Sequence, residues 1–181
     1  MRQDALLNWY LLYRRKMPWR EEVHPYRTLV SELMLQQTRV ETVIPYFHRF
    51  MASFPDYQTL AEAPLERVLE HWAGLGYYSR ARNLHLAARK LISLGGFPKT
   101  VEGLRELPGV GPYTAGAIAS IALGLDAPVV DGNVFRVLSR VFGIYDPIDT
   151  PAGKRAFNAL AHSLISVASE IPGTKAGDYN Q

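Results

Sequence analysis

The feature that most restricts how this chain can fold is the spacing of its apolar residues. They recur three or four positions apart almost everywhere, and no stretch alternates apolar with polar long enough to make a half-buried strand. Pro128-Val129-Val130 is the nearest thing to one. The expectation is an all-α protein. Leu6, Leu7, Tyr10, Leu11 and Tyr13 mark a first helix, ended by Arg14-Arg15-Lys16 and Pro18, with a loop from there through Pro25. Tyr26, Leu29, Val30, Leu33 and Met34 form the next stripe at about 100° per residue, with Glu32 off it beside Thr28 and Leu35. Another stripe runs from Val40 to Phe54 past Pro45. Pro64 is read as the first residue of a short helix to Trp72, and a further helix from Ala81 stops at Gly95-Gly96. Thr100 can cap a short helix through Leu104, Pro112 starts one that runs past Ile121, and Asp131 directly precedes the stripe Val134 to Phe142. Thr150-Pro151 opens the last long stripe, through Phe157, Leu160, Ala161, Leu164, Ile165 and Ala168, and the residues after it read as a loop and the start of a helix.

This order suggests a six-helix domain over residues 25–125, with residues 1–24 and 126–181 contributing a second, incomplete helical lobe. At 181 residues the chain is long enough for one full core or two small lobes. It has no cysteine, which excludes disulfides, thiol catalysis and any thiolate-bound zinc or iron–sulfur cluster within these residues. Its histidines show no paired ligand spacing, so no metal or other cofactor is expected in this chain. A net charge of +3 fits a polyanionic partner only slightly better than a neutral one. No apolar run reaches membrane-spanning length, and the expectation is a cytoplasmic protein, at the nucleoid, with no membrane partner.

LPGVGPYTAG, residues 107–116, carries more chemistry than any other segment. Its glycines Gly109 and Gly111 can take positive φ and let the backbone approach something bulky, while the helix opening at Pro112 turns unpaired N–H groups and its positive dipole end outward. An anion fits there, and a DNA phosphate is the natural candidate. A ligand-free helix–turn–helix connection is the plain alternative.

The string resembles the helix-hairpin-helix of base-excision DNA glycosylases, and VVDGNVFRV places Asp131 where that superfamily keeps its catalytic aspartate. SELMLQQT at 31–38, GLGYYSRARNLH at 74–85 and the DGNV form of the aspartate motif resemble, within it, the MutY family of adenine glycosylases. Endonuclease III-like enzymes carry a lysine in the hairpin as an imine-forming nucleophile, where this chain has Tyr113. The resemblance therefore implies a monofunctional glycosylase that removes adenine mispaired with 8-oxoguanine or guanine in double-stranded DNA.

Such a reaction needs a proton for the departing base and an anion for the oxocarbenium-like sugar. Asp131 begins a helix, where backbone N–H groups can hold its carboxylate ionised; Glu32, in an apolar stretch, suits a raised pKa and a proton donor to adenine N7. Taken alone, Asp131 is also a plain helix cap and Glu32 a solvated polar-face residue. By resemblance, Tyr113 and Asn133 hydrogen-bond near the aspartate and the reacting sugar. Gln36, Gln37 and Tyr77 fill the space an extruded base leaves, and Trp19, Arg20 and Leu35 line the adenine pocket. Leu107, Gly109, Val110, Gly111 and Thr114 form the DNA-backbone clamp, with Arg39, Arg80 and Arg82 as phosphate contacts.

In that family the segment after YNQ continues as a helix, adds a further acidic pocket residue, reaches four cysteines that hold a 4Fe–4S cluster, and leads to a domain that recognises 8-oxoguanine. The chain is read as the truncated N-terminal catalytic portion, weakly active or inactive, with apolar surface exposed on its N-terminal helix and on the helix from Pro151 to Ala168. Two alternatives stand beside the adenine reading: a thymine-mismatch or oxidised-pyrimidine glycosylase, and a non-catalytic helix-hairpin-helix DNA-binding module. The sequence does not identify a protein partner.

Overall fold

The computed structural model describes residues 3–169 and 176–180. In chain order the helices are α1 (Gln3–Tyr13), α2 (Pro18–Glu21), α3 (Pro25–Leu35), α4 (Val40–Ser53), α5 (Tyr57–Glu62), α6 (Leu65–Trp72), α7 (Ser79–Leu94), α8 (Val101–Arg105) and α9 (Pro112–Ala117). Helix α9 runs directly into a π-helical turn (Ile118–Ala122), followed by α10 (Gly132–Phe142), α11 (Pro151–Ser169) and α12 (Ala176–Asn180). No strand occurs among the described residues, as the apolar spacing implies. The loop expected at 171–175 lies outside the described residues, as does the side chain of Ala168.

Three local readings change. Pro18 and Pro25 do not belong to one long loop: each is the first residue of a helix, where its missing N–H costs nothing. Pro64 is the residue before α6 rather than its first. Helix α5 has only six residues and too short a stripe to read, and is fixed by Asp56, whose carboxylate accepts from the Thr59 amide at 2.7 Å. Helix α4 continues through Pro45, held by Val43, Phe47 and Phe50, which are fully buried.

Helix α3 is the axis of the larger core. Its stripe Tyr26, Leu29, Val30, Leu33 and Met34 is almost completely buried and meets Phe47 and Phe50 of α4, Trp72 of α6, Leu84 and Leu91 of α7, and Ile118. Phe50 and Trp72 meet edge to face at 6.0 Å. The buried Tyr26 hydroxyl donates to the Phe54 carbonyl at 2.9 Å, which satisfies the one polar atom that the stripe carries inward. A second, smaller cluster joins Leu138 of α10 to Phe157 and Ala161 of α11, with Phe135 edge-on to Phe157 at 5.0 Å. The segment between the clusters is tethered by α12: Asn180 donates from Nδ2 to the Ala127 carbonyl at 2.9 Å and accepts from the Val129 amide at 3.3 Å.

Apolar exposure is found on α1, where Trp9, Leu11, Leu12 and Tyr13 face outward. It is not found on the described part of α11, whose Phe157, Ala161 and Ile165 are buried. The exposed residues of this region are instead Val137, Val141 and Phe142, because α10 turns Leu138 inward to α11 and its apolar stripe is wider than the face so covered.

Candidate active site

Glu32 lies in the last full turn of α3, off the buried stripe, and faces a cleft of about 530 Å³. The cleft gathers Trp19, Arg20, Glu32, Leu35, Gln36, Tyr113, Asp131 and Asn133 from four separate stretches of sequence. Residues that sequence reasoning did not assign also line it: Arg15, Met17, Thr28, Ser31, Thr38, Val40 and Ile121. Thr28 and Ser31 were accessible in principle, since they share the face of α3 that carries Glu32. Ile121 was not, because the π-helical turn that aims it leaves no signature in the apolar spacing.

Burial pushes the Glu32 carboxyl up to about 7, with Arg20 pulling the other way and Asp131 adding to the rise. Burial, then Glu32 and Asp131, also push the Tyr113 phenol well above its ordinary range, so it stays neutral and offers an O–H.

Asp131 both caps α10 and faces the cleft. Its Oδ1 accepts from the amides of Asn133 at 2.9 Å and Val134 at 2.8 Å. Oδ2 accepts from Asn133 Nδ2 at 3.2 Å, and Arg136 in turn donates to Asn133 Oδ1 at 3.0 Å. The carboxylate is oriented before any ligand arrives.

In the hairpin, Thr100 caps α8 by accepting from the Gly103 amide at 3.1 Å, and the Val110 amide closes the turn on the Leu107 carbonyl at 3.1 Å. Leu107, Val110 and Thr114 are buried, so their side chains face the protein rather than the surface. Of the two glycines, only Gly109 takes positive φ, at 79°, and a Cβ there would lie 2.7 Å from Asn83 Cβ. Gly111 has φ −85° and caps α9; a Cβ there would meet nothing within 4 Å. It keeps the surface open rather than permitting a turn. The amides of Gly111 and Tyr113 make no backbone hydrogen bond among the described residues and sit at the start of α9.

Gln37 and Tyr77 are exposed, and they are the only non-glycine residues with positive φ among those described, at 56° and 49°. Arg82 and Arg39 are exposed. Arg80, expected as a phosphate contact, is buried. Its side chain is 6% exposed, and its terminal nitrogens are spent on carbonyls of Leu33, Met34, Gln36, Leu75 and Gly76. The last turn of α3 leaves carbonyls without helical partners, and a buried guanidinium can satisfy them together.

The model of the HhH-GPD superfamily of base excision DNA repair proteins matches residues 30–160, a span that holds Glu32, the hairpin and Asp131. The chain belongs to this superfamily. Among individual proteins, the HhH-GPD chain is 50% identical to an adenine DNA glycosylase of Mus musculus over 99% of its own length and 36% of the mouse protein's. It is 39% identical to an adenine DNA glycosylase of Buchnera aphidicola from Acyrthosiphon pisum, of which it spans 50%. The solved structure of a thermostable thymine-DNA glycosylase superposes with a TM-score of 0.85 at 29% identity, over 98% of this chain and 80% of that one. An endonuclease III–DNA covalent intermediate shares the fold, with a TM-score of 0.68 at 22% identity.

The 4Fe–4S cluster implied by the resemblance takes thiolate ligands, and the HhH-GPD chain contains no cysteine. These residues do not fit that group. Among the described residues no cluster of His, Asp and Glu could hold a metal ion, and no helix is long and apolar enough to cross a membrane.

Proposed function

We propose that this chain is the catalytic portion of a monofunctional adenine DNA glycosylase acting on double-stranded DNA with adenine opposite 8-oxoguanine or guanine. The observation that carries the reading is the pairing, in one cleft, of a carboxyl raised to about 7 with an aspartate already oriented by two amides. Two carboxyl groups in opposed environments are an acid and an anion. Protonated Glu32 gives its proton to adenine N7, the electrons of the C1′–N9 bond leave with the base, and Asp131 stabilises the sugar cation. Water then adds at C1′ and releases a proton. Asn133 fixes Asp131, and the neutral Tyr113 supplies an O–H to the same space. Trp19, Arg20 and Leu35 wall the pocket. Gln36, Gln37 and Tyr77 occupy the room vacated in the duplex, whose strands are held through the backbone at Gly109 to Thr114 and by Arg39 and Arg82. With Tyr113 in place of a hairpin lysine, no amine is at hand there to form an imine.

The similarity to the thymine-DNA glycosylase favours a second reading, excision of thymine, because the hairpin and the aspartate suit both. The raised carboxyl supports adenine over thymine: a purine departs more readily protonated at N7, and a pyrimidine has no such atom. A non-catalytic DNA-binding module gives the buried acid no task at all.

Single-turnover excision on a panel with adenine opposite 8-oxoguanine, adenine opposite guanine, thymine opposite guanine and an oxidised pyrimidine separates these readings. Release of adenine alone is expected, slowly in this 181-residue chain. Release of thymine or the oxidised pyrimidine without adenine would replace the reading. Fast adenine release would keep it and overturn the expectation of weak activity.

A further inference from the structure

Two turns far apart in sequence end in the same rare backbone state, Gln37 with φ 56° and Tyr77 with φ 49°. A long polar and an aromatic side chain in the left-handed region are disfavoured and persist only where the surroundings impose them. One guanidinium lies between the two turns. The two hydrogens of Arg80 Nη1 are shared among the carbonyls of Leu33 at 3.0 Å, Met34 at 2.9 Å and Gln36 at 2.6 Å and Thr38 Oγ1 at 3.3 Å. Its Nη2 donates to the carbonyls of Leu75 and Gly76, both at 3.1 Å. Its Cζ lies 5.4 Å from the Tyr77 ring centroid and 5.5 Å from that of the buried Trp72. Trp72 itself donates from Nε1 to the Gly76 carbonyl at 3.2 Å.

No carboxylate among the described residues pairs with this buried cation; its charge is compensated by carbonyl dipoles and two rings. One nitrogen serves the end of α3 and the other serves the Leu75–Gly76 turn, so a rigid planar fork fixes the distance between them. A lysine, with a single nitrogen, cannot hold both sides.

We propose that Arg80 is a positioning residue that locks the Gln36–Thr38 and Leu75–Tyr77 turns into one rigid wedge, whose fixed spacing governs base extrusion. Its role in extrusion rests on the glycosylase reading above; the coupling of the turns does not. Arg80 touches no DNA in this scheme.

Hydrogen exchange and DNA binding on the 181-residue chain test the two parts separately. In Arg80→Met, amides of both turns are expected to exchange at least about tenfold faster, with those of α4 and α10 unchanged. Arg80→Lys is expected to protect the α3 side and leave the Leu75–Tyr77 turn fast. If Arg80→Met speeds exchange everywhere, the lysine variant decides: two turns still exchanging at wild-type rates would overturn the coupling. On a duplex with 2-aminopurine opposite 8-oxoguanine, both variants should show several-fold less fluorescence gain at saturation. The slope of log Kd against log salt should stay at the wild-type value. A slope reduced by about one with fluorescence gain intact would make Arg80 a phosphate contact after all and overturn the proposal. If the wild type gives no fluorescence gain while the exchange pattern holds, the extrusion reading falls and the coupling stands.

Discussion

Asn133 holds both oxygens of the Asp131 carboxylate, donating its amide to Oδ1 at 2.9 Å and its side-chain Nδ2 to Oδ2 at 3.2 Å. The aspartate thus does two jobs that substitution can separate, because asparagine caps a helix about as well as aspartate but carries no charge. Asp131→Asn is expected to change stability by less than about 1 kcal/mol and to leave DNA affinity near wild type, while adenine excision falls by several orders of magnitude. Thermal melts, anisotropy binding and single-turnover excision check the three together. Retained excision would remove Asp131 from the mechanism.

Glu32 carries the opposite perturbation, a carboxyl whose folded pKa is raised to about 7. Its contribution to stability is complete below the ordinary carboxylate range and is lost as pH rises through about 7, where folding begins to bury a charge. Glu32→Gln should therefore melt near the wild type at pH 4 and above it at pH 8, by up to about 3 kcal/mol. Excision by the wild type should fall about tenfold per pH unit above 7, as the acid is lost, and be absent in Glu32→Gln at every pH. A pH-independent difference in stability would show that Glu32 is not buried as described.

The two hairpin glycines should respond differently to alanine. Gly109→Ala places a Cβ at positive φ and against Asn83, and is expected to destabilise the chain by about 2 kcal/mol or more. Gly111→Ala meets open space at an ordinary φ, so stability should fall by no more than about 1 kcal/mol, the worth of a cap. Its DNA affinity should nevertheless drop, because the methyl group stands where a phosphate would approach the α9 amides. Denaturant melts and binding isotherms on the pair read this directly; equal losses of stability would contradict it.

Arg82 is exposed one turn into α7 and is offered as a phosphate contact. Arg82→Ala should weaken binding to mispaired and undamaged duplexes alike and lower the salt slope by about one, with excision at saturation unchanged. A slope that does not move would return Arg82 to the solvated surface.

Much of this molecule was legible from spacing and punctuation. The stripe of α3 put Glu32 beside Thr28 and Leu35 without any structure, because a period of 3.6 assigns each position to a face. Asp131 before an apolar stripe, and Thr100 before a short one, announced caps that the structure shows closed. The resemblance named both turns that carry Gln37 and Tyr77.

Other features had no local signal. Arg80 reads on paper like Arg82, two positions later on the same helix. Only the arrangement of α3, α6 and α7 shows that one arginine faces a ring of carbonyls and the other faces water. The same is true of α11, whose stripe found cover in α10, and of Gly111, which the chain uses for room and not for positive φ.

What the sequence by itself determined is therefore everything set by neighbours in the chain: helix faces, caps and the hairpin turn. Tertiary structure decided what the side chains experience. Glu32 is raised to about 7 only because distant segments close a cleft around it, and Arg80 becomes a fastening because three helices remove it from water. Burial is a property of the assembled core, and desolvation, which sets the proton affinity of one side chain and the partners of the other, cannot be read before that core exists.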